Sequence, residues 1–158
     1  MQRYFGISNA ETLRAADPVL SCGKIIRGLS MRNTMRAGVA LVGLFNLMLG
    51  LSFLIDPAQA GLRFFITALG AQGMATMRAD FTAFFVTGAM FALIGAWRAQ
   101  RRPLQVPLLL LSIAIGGRLI SLVADGAPAM AFGPMAVEAV MIGILALGWR
   151  AFGADTVK

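Results

Sequence analysis

Histidine is absent from this chain. Its absence removes the usual general base near neutral pH, the commonest metal ligand, and every Ser-His or Cys-His nucleophile arrangement. Cysteine occurs once, at Cys22, so no internal disulfide can form. No apolar run precedes Cys22, so Val19-Leu20-Ser21-Cys22-Gly23 reads as an ordinary stretch and not as a lipoprotein cleavage site. Charge is scarce as well. Only 13% of residues are charged, where soluble domains approach a quarter. There is no phosphate-binding glycine loop and no nucleophile motif. These absences leave few routes to catalysis, and they point to no cofactor and no metal.

What the chain has instead is apolar length. Of its 158 residues 58% are hydrophobic, and the mean hydropathy is +0.77. A soluble domain of this size keeps too much of its surface exposed to hide that composition. The apolar residues fall into runs long enough to cross a bilayer as helices, which takes about 17–25 residues each. Four such runs, near 35–55, 81–97, 104–124 and 127–149, predict an all-α membrane protein. The expected architecture is a four-transmembrane-helix bundle with short turns and one longer outer loop. Its domain plan is a basic N-terminal segment over 1–34 (a tail or an interfacial helix), the bundle over 35–150, and a short tail over 151–158.

Local signals mark the ends of these spans. Asp56-Pro57 closes the first, because the residue before proline avoids the helical region. Asp80 stands before the second, where a carboxylate suits the first turn of a helix. Pro107 fits the first turn of the third, and Asp125-Gly126 signals a tight turn after it. Pro134 is expected to bend the fourth. Residues 57–79 form a connection long enough to carry structure of its own, and a short interfacial or re-entrant helix is expected there.

The formal net charge is +7, yet the basic residues flank the apolar runs and form no stripe, so nucleic acid is not the expected partner. With the N-terminus in the cytoplasm, that side holds Arg3, Arg14, Lys24, Arg27, Arg32, Arg36, Arg98, Arg101, Arg102, Arg150 and Lys158. The other side or the membrane holds Arg63, Arg78 and Arg118. This asymmetry is the pattern that orients membrane helices, and it predicts cytoplasmic N- and C-termini in a bacterial inner membrane. Trp97 and Trp149 then lie at the cytoplasmic interface, as an aromatic belt requires. Asp56, Asp80 and Asp125 gather on the outer side.

The polar groups inside the runs are the candidate site. Asn46, near the middle of the first span, is expected to contact another helix, since a polar amide in hydrocarbon seeks a partner. Arg118 lies seven residues before the Asp125 turn, roughly 10 Å deep at 1.5 Å per residue. Glu138 lies roughly 18 Å down by the same rise, a difference in depth of about 8–9 Å. Side chains lean toward the N-terminus of their own helix. On antiparallel neighbours Arg118 therefore leans inward and Glu138 leans outward, and the two point at each other. An unpaired charge at such depth costs ~2.5–3.5 kcal/mol or more, so pairing is the expectation. Arg78, Asp80, Arg118, Asp125 and Glu138 together form the expected polar cluster, open to the outer face. It serves either as an internal salt bridge that locks the bundle or as a binding pocket.

The pattern Met77-Arg78-Ala79-Asp80-Phe81, then Gly117-Arg118-Leu119-Ile120-Ser121-Leu122, then Asp125-Gly126-Ala127-Pro128, then Glu138 resembles a family of small bacterial four-helix inner-membrane proteins catalogued as a domain of unknown function. The likeness covers roughly residues 36–150, and its most specific part is the Gly-Arg to Asp-Gly-x-Pro segment. It implies a four-span inner-membrane bundle and implies no activity. Its signature positions fall on Arg78, Asp80, Gly117, Arg118, Asp125, Gly126, Pro128 and Glu138.

Two functions fit these observations. One is a non-catalytic integral membrane protein, an accessory or structural subunit of a larger complex or a small homo-oligomer. The other is a binding or transport protein for a lipid, quinone or other small amphiphile, using the outer-facing polar pocket. Both place the lipid bilayer among its partners.

Overall fold

A computed structural model describes residues 18–126 and 129–153, with side chains from Met31 onward. Residues 1–17 of the expected N-terminal segment, the side chain of Cys22, Pro128 with Ala127, and residues 154–158 lie outside the described residues. Two compact units divide the chain, one up to Met31 and one from Arg32 on, and the bundle is contained in the second.

Helix α1 (Pro18–Ile55) stops where Asp56-Pro57 requires it to. Asp56 then opens the short helix α2 (Pro57–Leu62) by accepting a hydrogen bond from the Gln59 backbone N–H at 3.1 Å. A tight turn through Phe65, which has a φ of 59°, leads to α3 (Gly70–Thr76). Helix α3 runs through a π-helical turn at Met77–Phe81 into α4 (Thr82–Arg98). A 3₁₀ turn at Arg102–Leu104 enters α5 (Gln105–Ala124), and another at Ala129–Ala131 enters α6 (Phe132–Gly153).

Four helical stretches are long and apolar enough to cross a membrane: Met31–Ile55, Gly70–Arg98, Arg102–Ala124 and Ala129–Gly153. Among the described residues there is no strand. The all-α four-helix bundle expected from hydropathy is therefore the fold. Two boundaries differ from expectation. The second span begins at Gly70, eleven residues before Phe81, because the π-helical turn carries Arg78 and Asp80 without breaking the helix. Asp80 thus lies inside a continuous helical path and does not cap its start. Pro134 is the third residue of α6, so its missing N–H falls in the first turn, where no partner is due, and it has no mid-span hydrogen bond to break.

The helices run up and down in sequence order, and α1 closes the ring against both α4 and α6. Arg36, Trp97, Arg98, Arg101, Arg102 and Arg150 lie at one end, here the basic end; Asp56, Arg63 and Asp125 lie at the other, the far end. Packing at the basic end is close. Val39, Leu104 and Leu145 are fully buried there, together with Ala92, Ala96, Leu111, Met141 and Phe152. In lipid, helices associate through van der Waals fit and not by leaving water, so small residues that let backbones approach matter most. A Cβ on Gly148 would stand 2.6 Å from Val39 Cγ2, and one on Gly43 would stand 2.8 Å from Leu93 Cγ. The glycines are what allow α1 to lie against α6 and α4.

At the far end the core is aromatic. Phe53 is fully buried and stacks on Phe81 with ring centroids 4.6 Å apart, with Phe64 and Phe85 alongside. Elsewhere the outer faces carry large apolar side chains in the open, such as Ile120, Val123 and Leu41. That much exposed apolar surface suits a bilayer and not water.

Two arginines tie α1 to α4. Arg36 donates from Nε to the Ala96 carbonyl at 3.0 Å and from Nη2 to the Trp97 carbonyl at 3.2 Å, closing the end of α4. At the far end Arg78 donates from Nε to the Leu54 carbonyl at 3.1 Å, closing the end of α1. A cation at a helix C-terminus meets orphan carbonyls and the negative end of the dipole together.

Candidate functional site

Helices α5 and α6 bring the two mid-span charges together. Arg118 donates from Nε to both carboxylate oxygens of Glu138, at 2.9 and 3.2 Å. The Glu138 side chain is 12% exposed and that of Arg118 35% exposed. The contact follows from helix geometry: the antiparallel directions of α5 and α6 aim each side chain along its own helix toward the other. The depth difference expected between the backbones is what two long side chains can span. Desolvating either group without the other is costly, so the pair also holds α5 against α6.

The pair stands on the wall of a cavity of about 590 Å³ at the far half of the bundle. All four spans contribute to it: Phe45 and Leu49 from α1, Phe81, Phe84 and Phe85 from the π-helical turn and α4, Leu111 and Ala114 from α5, and Val137 and Met141 from α6. The wall is apolar except for four charged side chains, Arg63, Asp80, Arg118 and Glu138. The shape is that of most small-molecule sites, a largely apolar hollow with a few convergent polar groups.

Of the five residues expected to cluster, Arg118 and Glu138 touch, and Asp80 shares their cavity. Arg78 does not join them. It is held on Leu54 O and faces a separate groove between α1 and α4. The π-helical turn separates the two neighbours, setting Asp80 on the cavity wall and Arg78 outside it. Asp125 caps the end of α5 and is exposed. It lines a second hollow of about 460 Å³ with Ser121 and Gly117, and this hollow also reaches Arg118. Arg118 therefore stands between the two spaces. Asn46 is buried below the cavity, with Nδ2 donating to the Val42 carbonyl at 2.8 Å and lying 3.4 Å from Met141 Sδ on α6. It makes the expected inter-helix contact, and its partner is a thioether.

Sequence reasoning missed Arg63. It follows α2 and lines the cavity beside Phe64. The signal was a lone cation inside Leu62-Arg63-Phe64-Phe65-Ile66, where apolar neighbours on both sides bring a charge to an interface. Among the described residues no group of three or more His, Cys, Asp or Glu side chains is arranged to hold a metal ion.

Fold and site together define a multi-pass helical membrane protein with an internal polar pair beside an apolar cavity. Set against known protein families, curated proteins and solved structures, the chain matches none of them.

Proposed function

We propose that this protein is a non-catalytic binding protein that holds a small amphiphile within the bundle, the apolar part among the phenyl rings and the polar head at Arg118 and Glu138. The observation that carries this reading is the cavity of about 590 Å³ with an ion pair set in an otherwise apolar wall. A salt bridge serving only to lock two helices needs no empty volume beside it, and close packing there would hold the helices better. The test is native mass spectrometry of the full chain extracted gently from its own membranes. A co-purifying amphiphile, lost when Arg118 and Glu138 are both replaced by Met, is the expected result. Recovery of the chain with no amphiphile but with a stoichiometric protein partner would favour the accessory-subunit role instead.

The membrane proposed is a bacterial inner membrane, with the basic end in the cytoplasm. Support comes from the placement of Arg32, Arg36, Arg98, Arg101, Arg102 and Arg150 at one end of the bundle. A single cysteine placed at Gly126, in a chain with Cys22 changed to Ser, should react with an impermeant maleimide added outside intact inner-membrane spheroplasts. Labelling only after lysis would reverse the orientation.

A further inference from the structure

The charge on the cavity wall narrows the head group, and this inference rests on the amphiphile reading above. Arg63 and Arg118 contribute two positive charges to the wall, and Asp80 and Glu138 two negative ones, so the wall sums to zero. That balance gives the site no net attraction to offset the desolvation of an added charge, whatever its sign. A fatty acid would bring a carboxylate beside Asp80 and Glu138. An alkylamine would bring a cation beside Arg63 and Arg118.

The wall offers hydrogen-bond donors in place of a free charge. Arginine carries five N–H donors and no acceptor. Glu138 takes the Nε–H, and the N–H groups on the two terminal nitrogens of Arg118 have no protein acceptor among the described residues. Held at Nε by Glu138, the guanidinium presents its outer edge as a fixed fork. Neutral carbonyl oxygens satisfy that fork without upsetting the charge balance. Phe64, Phe81 and Phe84 line the same space, and aromatic faces favour a flat ring lying offset against them.

We propose that the occupant is a neutral amphiphile with a flat, carbonyl-bearing ring as its head, the chemistry of a quinone on an alkyl chain. Arg118 donates to the ring carbonyl, Glu138 orients Arg118, and the phenyl rings cover the ring face.

The experiment uses the purified full chain in neutral detergent, with three probes of similar chain length: decylubiquinone, laurate and dodecylamine. Binding is read by equilibrium dialysis and by the shift in helix melting temperature. Decylubiquinone should bind saturably, and each charged probe at least tenfold more weakly. Glu138→Gln keeps an acceptor for Arg118 Nε but makes the wall net positive. It should tighten laurate at least tenfold relative to decylubiquinone. If Glu138→Gln fails to fold, the exposed Asp80→Asn changes the balance by the same unit. Laurate binding the unaltered protein as tightly as decylubiquinone would overturn the neutral-head proposal and leave the amphiphile reading standing. No binding of any probe would overturn both.

Discussion

The two ends of the bundle solve the same packing problem in opposite ways. At the basic end, glycines and alanines let the helices close on Val39, Leu104 and Leu145, and little space is left. At the far end α1 and α4 are joined by an aromatic cluster, while α5 and α6 stand off and are joined to each other by one ion pair. The glycines divide by helix. Gly43 and Gly50 on α1, Gly61 on α2, Gly95 on α4 and Gly148 on α6 are filled against by neighbours, whereas Gly116 and Gly117 on α5 and Gly133 and Gly143 on α6 have nothing near them. A tight end that fixes the helices and a looser end that leaves volume is the arrangement that the proposed guest would require.

The sharpest break of this contrast comes from core truncation. Leu145→Ala, at a fully buried site of the basic end, should cost about 2–5 kcal/mol in a detergent unfolding titration. Val140→Ala, on the same helix but facing outward, should cost less than about 0.5 kcal/mol. Equal losses would mean that Leu145 is packed no better than an outward-facing side chain.

Next in size is the ion pair. Glu138→Leu leaves Arg118 without its partner inside the span and should cost about 2.5–3.5 kcal/mol on insertion scales. The double replacement Arg118→Met with Glu138→Met should recover most of that, because apolar substitutes for both partners are commonly neutral or better. Failure of the double variant to recover would show that the pair has structural contacts beyond itself.

Smaller effects belong to the helix ends. Arg36→Met and Arg78→Met each remove a cation from carbonyls at a helix C-terminus, and each should cost about 0.5–2 kcal/mol. Both should loosen α1 against α4 and leave amphiphile binding intact, since neither side chain lines the main cavity. Smallest of all is Ala99→Gly. Ala99 sits at φ 47° just past α4, where the Gln100 N–H reaches the Gly95 carbonyl at 3.1 Å. Glycine is the residue that this end of a helix ordinarily takes, and it should raise stability by up to about 1 kcal/mol. A lower melting temperature for this variant would show that the left-handed turn is not strained.

Much of this was legible from residue order because lipid imposes few choices. Apolar length gave the spans, and Asp56-Pro57 and Asp125-Gly126 gave their far ends. Opposed helix directions are enough to predict the Arg118–Glu138 contact. What could not be read was which way closely spaced charges face. Arg78 and Asp80 lie two positions apart, and only the local winding of the backbone decides that one meets Leu54 and the other the cavity. For the same reason the residue pattern places the start of the second span near Phe81 and not at Gly70, since two charges within an apolar row look like the end of a helix. Arg63 was hidden because the cavity wall it joins is built from elements distant in the chain.

The winding at Met77–Phe81 also bears on how this chain tolerates changes in length. Within an ordinary helix, losing one residue swings everything beyond it by about 100°, which would turn a buried face to the lipid. A π-helical turn already holds one residue more than an α-helical turn needs. Deleting Ala79 should therefore relax the turn to α-helix and leave α3 and α4 each on its present face. A single deletion at that position is absorbed locally, whereas the same deletion at Ala89 would shift the register of α4 against α1.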